Sequence, residues 1–233
     1  MNRIIIISLL LIFQTFTEAL AQKKMQVKYE VGIAHTDYEL INPQNNVQIL
    51  NNNHAIYGVN LSYELIYNIH VETGVYSKYY GADFYSNSPD TTNLILGVDR
   101  IQIPIRLVYK KNILSERFYL SLFTGSSILI GHSQSSFMFL SDNEYKSIGN
   151  KPKRTFGLVE IGLGMEYEIF SNFSLGFNIR SFFGLKQNIY IQYDNINSDN
   201  SITNYDIKSN GSFQAYTVAV GYKFGKKAHT TNK

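Results

Sequence analysis

Gly157-Leu158-Val159-Glu160-Ile161-Gly162-Leu163-Gly164-Met165-Glu166-Tyr167 alternates without a break from Val159 onward. Val159, Ile161, Leu163, Met165 and Tyr167 share one face, and Glu160, Gly162, Gly164 and Glu166 share the other. Period two is the mark of a strand, because successive side chains leave opposite sides of the pleat. The composition of the non-apolar face carries the argument further. A soluble barrel turns its apolar set inward and shows water a Lys/Glu/Thr exterior. Glycines with occasional charges suit the narrow interior of a small barrel whose apolar face meets lipid.

The same alternation recurs on both sides of this stretch. Upstream, Val27, Tyr29, Val31 and Ile33 oppose Lys28, Glu30, Gly32 and Ala34, and Tyr57, Val59, Leu61, Tyr63 and Leu65 oppose Gly58, Asn60, Ser62 and Glu64. Ile69, Val71, Thr73 and Val75 oppose His70, Glu72 and Gly74, and Ile101, Ile103, Ile105, Leu107 and Tyr109 oppose Arg100, Gln102, Pro104 and Arg106. Downstream, Phe173, Leu175, Phe177 and Ile179 oppose Ser174, Gly176, Asn178 and Arg180. Tyr216, Val218, Val220, Tyr222 and Phe224 oppose Thr217, Ala219, Gly221 and Lys223. A run from Phe118 to Ile130 alternates poorly, and Phe118, Leu120 and Leu122 are its better apolar face. Each run approaches the roughly ten residues that a tilted strand needs to cross a bilayer. Pro104 cannot donate to a ladder, so a bulge or a frayed register is expected there.

The connections alternate in length. Long polar segments follow the odd-numbered strands: Glu39 to Asn53, Gly81 to Asp99, Gly131 to Arg154, and Leu185 to Ser212. Short ones follow the second, fourth and sixth: Tyr67-Asn68, Lys110 to Glu116, and Phe170 to Asn172. Short periplasmic turns and long external loops are the habit of outer-membrane barrels. The expected fold is therefore all-β: an eight-stranded antiparallel up-and-down transmembrane β-barrel with four long external loops and both termini at the periplasmic end. An even strand number lets the sheet close without an edge. Tyr29, Tyr57, Tyr67, Tyr79, Tyr109, Tyr167 and Tyr190 fall mostly near strand ends, as interfacial girdles require.

Export is written at the start of the chain. Arg3 precedes the apolar run Ile4 to Phe13, and Ala19-Leu20-Ala21 forms a small-x-small site before Gln22. These are the three parts of a secretory signal peptide, and the run is too short for a spanning helix. Residues 1–21 are thus expected to be removed, residues 22–225 to form the barrel, and residues 226–233 to be a short basic tail. The chain has no Cys, which removes a lipoprotein anchor, disulfides and thiol catalysis together. A net charge of +3 is too weak to imply nucleic acid.

Arg100-Ile101-Gln102-Ile103-Pro104-Ile105-Arg106-Leu107-Val108-Tyr109 resembles the Ile-Pro strand of the PorT-like outer-membrane β-barrel family of Bacteroidetes. The Gly-rich stretch Gly157 to Tyr167 and the closing Gly221-Tyr222-Lys223-Phe224 are similar to that family's strands. Arg100 stands where the family often has an aromatic residue, and Gln102 replaces its usual acid. The resemblance implies an outer-membrane barrel, with some members linked to secretion and gliding, and brings no catalytic residues.

Glu64, Glu72, Arg100, Arg106, Glu160, Glu166, Arg180 and Lys223 lie on the non-apolar faces. They are the expected lumen charge network, because buried charges must be paired. Such a network fills a small barrel and leaves its lumen closed. A barrel enzyme of the lipid A-modifying kind needs a Ser, a His and an acid together. His132-Ser133, with Ser135 and Ser136, lies beyond the fifth strand, but neighbours on a strand point to opposite faces. His54 sits at a similar height. His35, His54, His70, His132 and His229 show no ligand spacing. Asp83, Asp90 and Asp99 show no calcium-loop pattern.

The sequence thus points to an outer-membrane barrel of structural, anchoring or loop-mediated interaction role, with no cofactor, metal or catalytic constellation. Its partners would be outer-membrane lipid, the barrel-assembly machinery during biogenesis, and a protein met outside or in the periplasm. Recognition would fall to Gly131 to Arg154 and Leu185 to Ser212. The alternatives are a lipid A-modifying barrel enzyme and a soluble, lipocalin-like periplasmic lipid carrier.

Overall fold

A computed structural model describes residues 25–41, 47–86, 94–131, 146–148, 155–185, 189–196 and 202–224. The expected signal peptide with its cleavage after Ala21, and the expected tail 226–233, lie outside the described residues. In chain order the strands are β1 (Met25–Thr36), β2 (Glu39–Ile41), β3 (Val47–Asn51), β4 (Asn53–Ile66) and β5 (Ile69–Ser86). Next come β6 (Leu94–Ser115), β7 (Phe118–Gly131), β8 (Lys146–Ile148) and β9 (Thr155–Glu168). The last four are β10 (Phe173–Gly184), β11 (Ile189–Ile196), β12 (Ile202–Ser209) and β13 (Phe213–Lys223).

Eight of these strands close into one antiparallel barrel in the order β5-β4-β1-β13-β10-β9-β7-β6, and β6 returns to β5. The two ends of the described chain meet in the wall, where β1 and β13 pair from Gln26↔Lys223 to Thr36↔Phe213. Closure gives every wall strand two partners, so no ladder edge is left to face lipid.

The alternation sorts side chains as the sequence requires. Ile105 is 62 % exposed and Ile161 56 %. Their strand neighbours Arg106 and Glu160 are 1 % and 0 % exposed. The apolar set therefore coats the outside, and the polar set fills the inside, opposite to a lipid carrier with an apolar interior. The fifth wall strand, β7, follows the same rule: Leu122 is exposed while Ser121 and Phe123 are buried. Its pattern reads poorly because Phe123 and Leu129 are apolar but face the lumen, whereas Thr124 and Ser126 face outward. Tyr109, Tyr167 and Tyr222 are exposed toward the barrel end at which β1 begins and β13 finishes. Tyr29, by contrast, is paired with Val59 and Val220 within the wall.

Three local expectations change. The long segments are not plain loops. β5 and β6 continue pairing as far as Phe84↔Leu94, and β11 and β12 form a hairpin that β2 and β8 extend into a four-stranded sheet. Ile191↔Ile207 and Tyr193↔Tyr205 are backbone partners in it, so alternating β-formers inside a polar segment build their own ladder. The Lys110 to Glu116 connection is also mostly strand, since Lys111↔Leu120 and Asn112↔Tyr119 remain paired and only Glu116–Arg117 turn. Finally, of the two expectations for Pro104 the bulge is absent and the locally frayed ladder is found. The β5–β6 register is the same on both sides of it, from Thr73↔Ile105 to Tyr76↔Gln102, with the pairs between them missing. The Thr73 hydroxyl donates to the Pro104 carbonyl at 2.9 Å. A side chain thus serves the acceptor where the ladder lacks its donor.

Candidate functional site

Among the described residues, the lumen is the place where wall strands from all round the barrel bring polar groups together. At mid-height, Arg106 from β6 reaches Glu160 on β9, with its Nε donating at 2.9 Å, and its Nη1 lies 3.9 Å from Glu72 on β5. Arg180 from β10 binds Glu30 on β1 and donates to Thr217 Oγ1 on β13 at 3.0 Å. The Tyr76 hydroxyl accepts from both guanidinium groups, at 3.1 Å from Arg106 and 3.2 Å from Arg180. Asn60 Nδ2 donates to Glu30 Oε1 at 2.7 Å, and the Thr217 hydroxyl donates to its Oε2 at 3.2 Å. Each charge is paired and also hydrogen-bonded, which is the condition for holding it in a dry interior.

Toward the termini the network continues through lysines. Lys28 Nζ lies 2.9 Å from Glu72 and 3.4 Å from Glu166. Lys110 Nζ donates to Glu166 Oε2 at 3.0 Å and to Gln26 Oε1 at 3.1 Å. Gln26 Nε2 returns to Glu166 Oε1 at 2.8 Å. At the rim, Lys223 pairs with Glu168. Five cations (Lys28, Arg106, Lys110, Arg180, Lys223) thus meet five carboxylates (Glu30, Glu72, Glu160, Glu166, Glu168).

Toward the loop end the chemistry changes. Phe182 and Phe213 stack at 4.1 Å, Tyr80 meets Phe156 and Phe213 edge-on, and Ile56, Leu129 and Leu158 fill the gaps. Lys78 is fully buried here. Its Nζ sits 3.4 Å from the Tyr80 ring centroid and 4.4 Å from that of Phe213, and donates to Thr36 Oγ1 at 2.7 Å. An ammonium on the negative faces of two rings is a cation–π arrangement. Its cross-strand partner Arg100 lies over the Phe156 ring.

Of the eight charges read from the sequence, Glu72, Arg106, Glu160, Glu166 and Arg180 come together in the network. Lys223 is at the rim, Arg100 is in the aromatic layer, and Glu64 is at the mouth with no ion pair among the described residues. Lys28, Glu30, Lys78, Lys110 and Glu168 complete the set. Their signal was available: each keeps the parity of a recognised lumen residue, as Lys110 does with Arg106 and Glu168 with Glu166.

Little space remains for a substrate deep within the lumen. The gap beside Lys28, Ser121 and Asn178 is about 10 Å³, the size of a single water. Among the described residues no His/Asp/Glu cluster has metal-binding geometry. His54 packs on Tyr79 with its Nε2 2.5 Å from the Gly81 carbonyl. His132, Ser133, Ser135 and Ser136 lie outside the described residues.

No family model and no curated protein matches the chain. Among solved structures, it is similar to the N-terminal β-barrel domain of Pseudomonas aeruginosa OprF, with 12% identity and a TM-score of 0.39 over 85% of this chain and 97% of that one. It is also similar to Ail, the attachment invasion locus protein of Yersinia pestis, with 13% identity and a TM-score of 0.40 over 86% and 99%. A third is Neisserial surface protein A, with 13% identity and a TM-score of 0.39 over 86% and 97%. The fold assignment itself rests on the strand pairing.

Proposed function

We propose that this protein is a non-enzymatic bacterial outer-membrane barrel that anchors and presents β-structured loops, with a lumen that does not conduct. One observation carries this reading: the wall is apolar outside and ionic inside. A closed sheet with exposed Ile, Val and Leu along each strand would aggregate in water, whereas lipid satisfies it at no hydrogen-bonding cost. The end bearing both termini then faces the periplasm, and the sheet of β2, β8, β11 and β12 stands outside. Recognition of a protein partner belongs to that sheet, because the wall and the middle of the lumen are already committed to packing. The resemblance to PorT-like barrels favours a partner in secretion or gliding.

The test has two arms. In fractionated cells the protein should be in outer membranes and should migrate differently on semi-native electrophoresis before and after boiling. In planar bilayers the folded barrel should give no steady, reproducible conductance. Recovery in the soluble periplasmic fraction would overturn the membrane reading, and a stable unitary conductance would overturn the closed lumen.

A further inference from the structure

We propose that the periplasmic mouth of the lumen binds a small solute bearing a primary ammonium group, of amino-amide or short-peptide size. This rests on the orientation given above, in which the end carrying the termini faces the periplasm. A blind cavity of about 330 Å³ opens there. Its floor is sealed by Gln26, Lys110 and Glu166, all at least nine-tenths buried and bonded to one another. Nothing larger than a short peptide has room above that floor.

The charges around the mouth choose the ligand. Lys110 is matched by Glu166, and Lys223 by Glu168, so an anion would find both ammonium groups already neutralised. Glu64 is the odd charge. It faces the cavity from β4 beside its cross-strand partner His70, and it makes no ion pair among the described residues. A single carboxylate does not make a metal site, but it suits one ammonium, and Asn68 and Asn112 line the same cavity with further hydrogen-bonding groups.

The wall holding Glu64 is also shaped locally. The β4–β5 register shifts between Glu64 and Ile66, and a bulge re-aims the side chains beside it. Asn68 then turns the chain with φ 66°. Its carbonyl accepts the Lys110 backbone N–H at 2.8 Å, which fixes the turn to β6.

The test uses the full chain folded in amine-free detergent micelles, titrated calorimetrically with three probes. Glycylglycinamide carries the ammonium, N-acetylglycylglycinamide is neutral, and N-acetylglycylglycine is an anion. We expect saturable binding of the first and at least about tenfold weaker binding of the other two, the scale of discrimination at a charge-recognising site. Glu64→Gln should abolish that preference, and Glu64→Asp should keep part of it. No saturable binding, equal binding of the three probes, or a preference unchanged in Glu64→Gln would each overturn the proposal. Heat-modifiable migration of the same preparations reports the barrel separately, so a failed mouth is distinguishable from a failed membrane reading.

Discussion

Within one tube, the lumen is filled in two ways. From Gln26 to Arg180 it holds salt bridges, each charge touching more than one partner. From Lys78 toward the loops it holds stacked and edge-on rings. Both stretches exclude a pore, but they fail differently. An ionic filling is interdependent, since removing one partner strands another in a low-dielectric interior. A ring filling degrades by increments, because each contact is a small dispersion or quadrupole term. The ionic stretch therefore specifies which strands meet, and the aromatic stretch seals whatever space they leave.

That contrast can be broken most sharply at Arg180. Arg180→Met leaves Glu30 buried without its main cation and should lower barrel stability by roughly 3–5 kcal/mol, read as the urea midpoint in lipid vesicles. Arg180→Met with Glu30→Met should recover most of that loss, and no recovery would show that the pair does not act as a unit. Gly162→Ala comes next. A Cβ there would stand 2.5 Å from the Ile179 carbonyl oxygen and 2.7 Å from Arg180 Cγ, so overpacking should cost about 1–3 kcal/mol in the same measurement.

On the aromatic side the effects shrink. Phe182→Leu removes the stack on Phe213 and should cost about 0.5–1.5 kcal/mol, again by urea midpoint. Lys78→Met should change stability by less than about 1 kcal/mol, because a lost cation–π contact is offset by relief of a buried charge. A loss at Lys78 as large as that at Arg180 would erase the distinction between the two stretches.

The wall was legible in the sequence, and the lumen only partly so. Period-two runs such as Val159 to Tyr167 show both the strand and its faces, because lipid outside and ions inside impose opposite chemistries. The ionic stretch is legible by parity, even for Lys28 and Glu30, which needed only the same counting. The aromatic stretch is not. Ile128-Leu129-Ile130 and Phe182-Phe183 are unbroken apolar runs, so an inward Leu129 or Phe182 looks like its outward neighbours. The sheet of β2, β8, β11 and β12 was hidden for another reason. It joins segments far apart in sequence, and pattern within one segment says nothing of its partner.

The seam between β1 and β13 has a consequence for how the molecule is made. Those two strands come from opposite ends of the described chain, so the cylinder stays open until the last of its staves has been synthesised. A chain halted before Phe213 would expose β1 and β10 as two raw borders, each able to recruit a stranger's strand. An intact β13 is thus a condition for closing the cylinder.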